Sequence, residues 1–492
     1  MVNIVFRKNI QTQKAFMLLG VLIFTSISII IVLAFVMWTT TSVNIARRTL
    51  QREQALQIAE AGIDYYRWHL AKNSTDYKDG TGVAGPYVHA FYDSDGNQIG
   101  QYSLLITPPP AGSTLVKIFS TGTLTGVSNV SRTIESDLAI PSFAKFSVVA
   151  NDNMRFGEGT EIFGPLHSNF GIRMDGIAHN LITSALTSYD DPDHSGGSEF
   201  AVHTHDTDTS SGTNINDTYR SAEAPPNTVT DRSDVFMAGR KFPVPVVDFA
   251  GITTDLSKLK TLGSSTDGKY YAASGKQGYH IVLKTNDTYD IYTVTALTAT
   301  PNGCTNVNNE TDWSTWSIKT ETLTAGNVAF PVNGVIFVED NVWVDGSINT
   351  ARKTIAAGRF PDDPTKRKNI IVNNDLRYIN VDGQDVIGLV AQNNVNVGLS
   401  SLDNLRIDGA LIAQNGRVGR SYYGSSCGTG YTRNSLRLYG MIGSNQRYGF
   451  AYTDGTGYDT RIITYDANLL YGAPPSFPLT SDQYQTILWE ER

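Results

Sequence analysis

FMLLGVLIFTSISIIIVLAFVMW, residues 16–38, holds no charged side chain and no proline. At about 1.5 Å rise per residue this stretch makes a helix of about 35 Å, against a bilayer hydrocarbon core of roughly 30 Å. It reads as a single transmembrane span, with Trp38 at the headgroup level where an amphipathic ring is favoured. A secretory signal peptide fits less well, because its apolar core runs to about 7–15 residues and ends in a small-residue cleavage site, whereas MWTTTS follows here. The expected location is the cell membrane, single-pass, with the C-terminal body outside the cytoplasm. Charge alone does not orient the span: Arg7, Lys8 and Lys14 precede it and Arg47, Arg48 and Arg52 follow closely, so the positive-inside count nearly balances.

The helical pattern continues over residues 39–72. Val43, Ala46, Leu50, Ile58, Ala61 and Tyr65 recur at spacings of three, four or small multiples, with Arg, Gln and Glu between them, which is the signature of an amphipathic helix. Lys72-Asn73-Ser74-Thr75 marks its end. A rod with one half in lipid must bury the stripe of its second half on its own domain or on neighbouring helices.

Two motifs on this rod carry a family resemblance. A short basic leader (residues 1–15) ending within Lys14-Ala15-Phe16-Met17-Leu18-Leu19 resembles a prepilin processing site, and REQALQIAEAGIDYYRWHL, residues 52–70, is similar to the helix of PilX-like type IV pilus assembly proteins. The resemblance implies cleavage between Ala15 and Phe16. Gly20 stands where major pilins carry a Glu that registers an incoming subunit, which implies a minor or initiating subunit. Membrane lipid and other pilin-like helices are the partners so implied.

Residues 73–140 form the next block. QYSLLI (101–106), LVKIFSTGTL (115–124) and VSRTIESDL (130–138) alternate apolar and polar residues with period two, giving three strands of a small antiparallel sheet of the kind that closes pilin cores. Asp93-Ser94-Asp95-Gly96-Asn97 lacks the further acidic ligands of a calcium loop and reads as a hairpin turn.

Beyond it one motif recurs. The segment starting Val148-Val149-Ala150-Asn151 returns at Leu166, Ile336, Leu389 and Leu411, each time as strand, polar corner, strand. Neighbouring copies lie roughly 20 residues apart, as rungs of a parallel β-solenoid do. Val, Ile and Leu would point inward, and corner Asn residues would form a ladder. Asn153, Asn341, Asn394 and Gly416 fall at corners, where left-handed backbone is expected. The solenoid divides into residues 141–249 and 331–450, separated by an α/β insertion at 250–330 and closed by a C-terminal tail at 451–492. The fold class expected is mainly β with a long N-terminal α-helix.

Composition narrows the function. The net charge is −8, and the short Lys366-Arg367-Lys368 is no basic stripe, so nucleic acid is not an expected partner. Cys304 and Cys427, both in turn-like sequence, can pair in an oxidising compartment. Asp190, Asp191, Asp193 and His194, with His203 and His205, have the residue types of a divalent-cation site, but their Ser/Gly/Thr-rich context reads as a surface loop. No cofactor is expected. Because β-solenoids also occur as polysaccharide lyases and hydrolases, a membrane-tethered carbohydrate-active enzyme is the alternative. Its candidate acids are Asp345, Asp375, Asp382, Asp385, Asp403 and Asp408; most stand in turn-like contexts, and no spacing marks a pair. The favoured reading is a non-enzymatic, membrane-anchored surface protein, a minor pilin-like component of a type IV pilus or related assembly, with adhesion to surface glycans as an extension.

Overall fold

Helix α1 runs unbroken over Ile10–Lys72 in the computed structural model, which describes residues 10–109, 113–157, 160–193, 197–205 and 223–492. Its apolar half is exposed from Phe16 to Trp38. Hydroxyls within and just beyond that half are satisfied locally: Thr25 and Ser26 donate to the Val21 and Leu22 carbonyls, and Thr39, Thr40 and Thr41 to those of Phe35, Val36 and Met37. Such back-bonding lets polar side chains sit in a lipid-facing helix without orphaned donors. The three threonines therefore continue the rod where their composition alone suggests a break.

The chain divides into two compact units, the first comprising residues up to 107, 117–137 and 488–492. Here the second half of α1 lies on an antiparallel sheet of β1 (Tyr87–Tyr92), β2 (Gln98–Thr107), β3 (Val116–Leu124), β4 (Ser131–Ala139) and the C-terminal strand Gln485–Glu491, in that order; the strand ends at residues 116, 138–139 and 485–487 are counted with the second unit. The Asp93 carboxylate accepts the Asp95 and Asn97 N–H groups and Gly96 takes a φ of 84°, closing the β1–β2 hairpin. The end of the chain, expected as part of a tail, is instead an edge strand. Arg492 donates its N–H to the Thr133 carbonyl, and its guanidinium meets Glu135 at 2.6 Å.

The second unit, residues 108–116 and 138–487, is built of parallel rungs. One column of paired residues runs Ile336, Ile355, Leu389, Leu411, Ile442, Val148, Leu166, Ile182. All eight are buried in one continuous core, each contributing about 1.5–3 kcal/mol on burial. A second column passes through Tyr279, Val342, Ile370, Val395 and Val418, and a third through Leu376, Ile407, Leu438, Ile463, Ile162 and Ala178.

The stack order is a permutation of the chain order. Thr432–Ser444 pairs with Val148–Ala150, so the last large rung carries the first. After Arg240–Lys241 the chain must therefore return along the stack to begin again at Lys269–Tyr271. The return segment supplies Val247 and Phe249, and helix α2 (Ile252–Gly263) supplies Ile252, Leu256 and Leu259, to cover the outward apolar row Phe337, Ala356, Val390, Ile412 and Val149. Residues 250–330, expected as an insertion, thus contain this cover and two strands that belong to the stack, Lys269–Tyr271 and Gly278–Leu283. Only Thr288–Leu297 and Ile318–Ala329 extend it as antiparallel strands.

The corners are held by side chains rather than by unusual backbone. Asn341 accepts the Asn369 N–H (3.0 Å), Asn369 the Asn394 N–H (3.0 Å), Asn394 the Arg417 N–H (2.9 Å), and Asn153 the Gly171 N–H (2.9 Å). Each corner amide thereby satisfies a backbone donor of the next rung, where a turn would otherwise leave it unpaired. The expected left-handed angles are absent: Asn153, Asn341, Asn394 and Gly416 all have negative φ. Gly416 is required for a different reason, since a Cβ there would lie 2.0 Å from the Asn394 amide oxygen.

Candidate functional site

The contact between α1 and its sheet is unusually close because small residues face each other. A Cβ on Gly122 of β3 would stand 2.1 Å from the Ala55 carbonyl oxygen and 2.6 Å from the Ala59 nitrogen; one on Gly62 would meet Ser120 Oγ at 2.3 Å. The Ala59-Glu60-Ala61-Gly62 motif therefore acts as a docking face: Ala59 and Gly62 let the backbone approach, Glu60 stays exposed, and Ala55, Ile58, Ile63, Tyr66 and Leu70 fill the remaining space, all buried.

Two His–Asp contacts tie down the loop after the helix, one from the helix end and one from β1. His69 Nε2 lies 3.1 Å from Asp76, and His89 Nε2 lies 2.7 Å from Asp79, whose other oxygen accepts the Tyr65 hydroxyl at 3.0 Å. His89 stacks on Tyr102 and tilts against Tyr65. Burial, then the Asp79 hydrogen bond, pushes Tyr65 up to about 12, so this hydroxyl is a donor across the physiological range.

The packed stripe begins later than the periodicity suggests. Val43, Ile45 and Leu50 are 45%, 61% and 59% exposed, and Ala46 is exposed as well, while burial starts at Ala55 and includes Ile58. Ala61 and Tyr65 are half-buried. More than three helical turns between Trp38 and Ala55 are thus apolar on part of their surface and uncovered by the described chain. Ala15 and Phe16, the residues of the expected cleavage point, lie inside α1, and Phe16 is exposed.

In the second unit the His/Asp cluster is centred on an arginine. Arg173 bonds Asp175 at 2.7 Å, approaches Asp191 at 3.5 Å and donates to the His205 carbonyl at 2.7 Å. His203 Nε2 is 3.5 Å from Asp191. Burial raises the Asp191 pKa, but His203 and Arg173 help to hold it at about 2. Asp193 pairs with Arg447 at 2.6 Å, and Asp190 is exposed on its own turn. His194 lies outside the described residues. Among the described residues no group of three or more His, Cys, Asp or Glu is arranged to hold a metal ion; the carboxylates of this cluster meet arginines instead, Arg173 and Arg155 at Asp175 and Arg447 at Asp193.

Four of the six candidate acids sit in separate contacts, whereas Asp375 and Asp408 share Arg406, Asp375 accepting its backbone N–H at 2.8 Å and Asp408 its guanidinium at 2.9 Å. Asp345 receives His280 Nε2 at 3.1 Å and the Asn373 amide at 2.9 Å; Asp375 pairs with Arg377 and Asp408 with Arg406. Asp382 accepts the Gln384 N–H, Asp385 those of Thr350 and Asn380, and Asp403 that of Asn434. Cys304 and Cys427 form a disulfide. Beside it Glu310 accepts from Arg417, the Tyr422 N–H and the Tyr452 hydroxyl, joining the same two loops a second time.

No family model and no curated protein matches the chain. Among solved structures it is similar to the competence-associated pilin ComZ from Thermus thermophilus, at 13% sequence identity and a TM-score of 0.28, over 90% of this chain and 98% of that one.

Proposed function

We propose that the chain is a minor pilin-like subunit of a type IV pilus or related assembly, non-enzymatic, anchored by α1 and presenting its solenoid outside the cytoplasm. One observation carries this reading: a single helix passes without interruption from an exposed, uncharged and largely apolar half to a half docked on an antiparallel sheet. A simple anchor needs only the first half, and a soluble domain only the second. The uncovered surface at Val43, Ile45 and Leu50 suits lateral packing against other pilin-like helices once the subunit leaves the bilayer. The Cys304–Cys427 disulfide supports an oxidising compartment for the body, since such bonds are rare in reducing cytosol. Adhesion to surface glycans extends the reading, the long solenoid offering a broad Asn-, Thr- and Tyr-rich surface.

The test is the mass of the amino-terminal peptide of the protein taken from native membranes. Prepilin-type processing gives a chain beginning at Phe16; an intact Met1 would reduce the protein to an uncut anchored solenoid.

A further inference from the structure

A cleft of about 450 Å³ opens in the second unit, and every residue lining it belongs to that unit. Its size falls in the range of small-molecule sites, roughly 300–1,000 Å³. The lining is mainly aliphatic and includes Ile140, Leu469, Leu470, Leu479 and one aromatic ring, Phe477.

Three charged side chains reach it: Lys145, Asp255 and Lys258. Asp255 is already engaged, accepting the Leu479 N–H at 3.2 Å and the Lys258 ammonium at 3.3 Å. Lys145 is not compensated in this way. Its ammonium lies 5.0 Å from the centre of the Phe146 ring, and burial, with no carboxylate among the described residues opposing it, pushes its pKa below the ordinary lysine value. Desolvating a cation without a counter-ion is costly, and an anion entering the cleft would recover part of that cost. With two lysines and one aspartate at the mouth the balance is a single positive charge, which suits a monoanion and disfavours a dianionic phosphate beside Asp255.

We propose that this cleft binds an aliphatic monocarboxylate, a free fatty acid in chemical class, with its chain along Ile140, Leu469, Leu470 and Phe477 and its carboxylate on the Lys145 ammonium. The site is independent of the pilin-like role of α1 and would stand even if the chain were never cut at Phe16.

The full chain in phosphatidylcholine nanodiscs, exposed to a diazirine-bearing dodecanoate, should be labelled on the peptide spanning residues 468–479. Excess dodecanoate should suppress the labelling and excess dodecanol should not. Lys145→Gln should weaken labelling roughly tenfold or more, as expected for losing a charge-assisted hydrogen bond. Lys145→Arg keeps the charge and should retain most of it, which guards against a variant that merely misfolds, and Leu470→Trp should block the cleft. Equal competition by dodecanol, labelling confined to the lipid-facing helix, or full labelling of a folded Lys145→Gln protein would each overturn the proposal.

Discussion

Replacing Gly122 by Val tests the closest contact in the first unit. The new Cβ would begin 2.1 Å from the Ala55 carbonyl oxygen, and an ordinary contact starts near 3.4 Å, so helix and strand must separate by about 1.3 Å, the difference of the two. That displacement loosens Ala55, Ile58, Ala59, Ile63, Tyr66 and Leu70 together, because all are buried along the same stripe. Overpacking of this kind costs about 1–3 kcal/mol, sometimes more; at about 3 kcal/mol local opening becomes roughly 100-fold more frequent. Hydrogen exchange on the full chain in nanodiscs reads this directly. Peptides covering residues 55–70 and 116–124 should exchange about 100-fold faster than in the parent, while peptides from Val386–Ala391 and Asn404–Ala413 keep their protection. Unchanged exchange over residues 55–70 would refute the docking of α1 through its small residues.

Three other perturbations have defined outcomes. Asn369→Ala removes the acceptor of the Asn394 N–H from a residue only 1% exposed and should destabilise the stack by about 1–3 kcal/mol, read as a lowered urea midpoint for peptides of the parallel stack in exchange experiments; an unshifted midpoint would show the ladder to be ornamental. Reducing Cys304–Cys427, or replacing both by Ser, should cost about 2–4 kcal/mol and expose residues 298–317 and 421–431 to limited proteolysis, whereas equal cleavage rates would deny the bridge a structural role. The third concerns pH. Burial lowers the His280 pKa, but Asp345 and Glu321, at 3.1 and 2.8 Å, outweigh it and the net shift is upward. A raised native pKa means that the contribution is complete below the unfolded value of about 6.5 and fades as pH rises through the native one. Protection of Gly278–Leu283 and Ile318–Ala329 should therefore fall on the alkaline side, and His280→Gln should flatten that dependence; protection that instead rises with pH would contradict the assignment.

How far this architecture was legible depended on how local its causes are. The rod announces itself through an unbroken apolar run and then a three-to-four spacing, and strands β2 to β4 through strict alternation, because each pattern is satisfied within one element. The repeated Val-Val-Ala-Asn-type motif exposed the rungs for the same reason, and its asparagines form the ladder. Their backbone angles were misjudged because an Asn at a corner has two uses, a left-handed turn or a side-chain acceptor, and composition does not choose between them. The order of stacking was invisible: pairing of Ile442 with Val148, and of the Leu488 carbonyl with the Ser136 hydroxyl, joins segments hundreds of residues apart and leaves no periodic trace. Cys304 and Cys427 could be named as a candidate pair but not placed. The Lys145 cleft escaped notice because a lone lysine beside Phe146 acquires meaning only when Leu469 and Phe477 are folded against Ile140.

The most direct test of the account is a photo-crosslinking residue placed in turn at Leu50 and at Ile58 of the native chain in living cells. Leu50, exposed and beyond the apolar run 16–38, should form adducts with a second pilin-like helix, while Ile58, buried against its own sheet, should give only intramolecular links. Adducts to lipid alone at Leu50, or intermolecular adducts at Ile58, would contradict a helix that is anchored by its first half, docked by its last and shared with neighbours between.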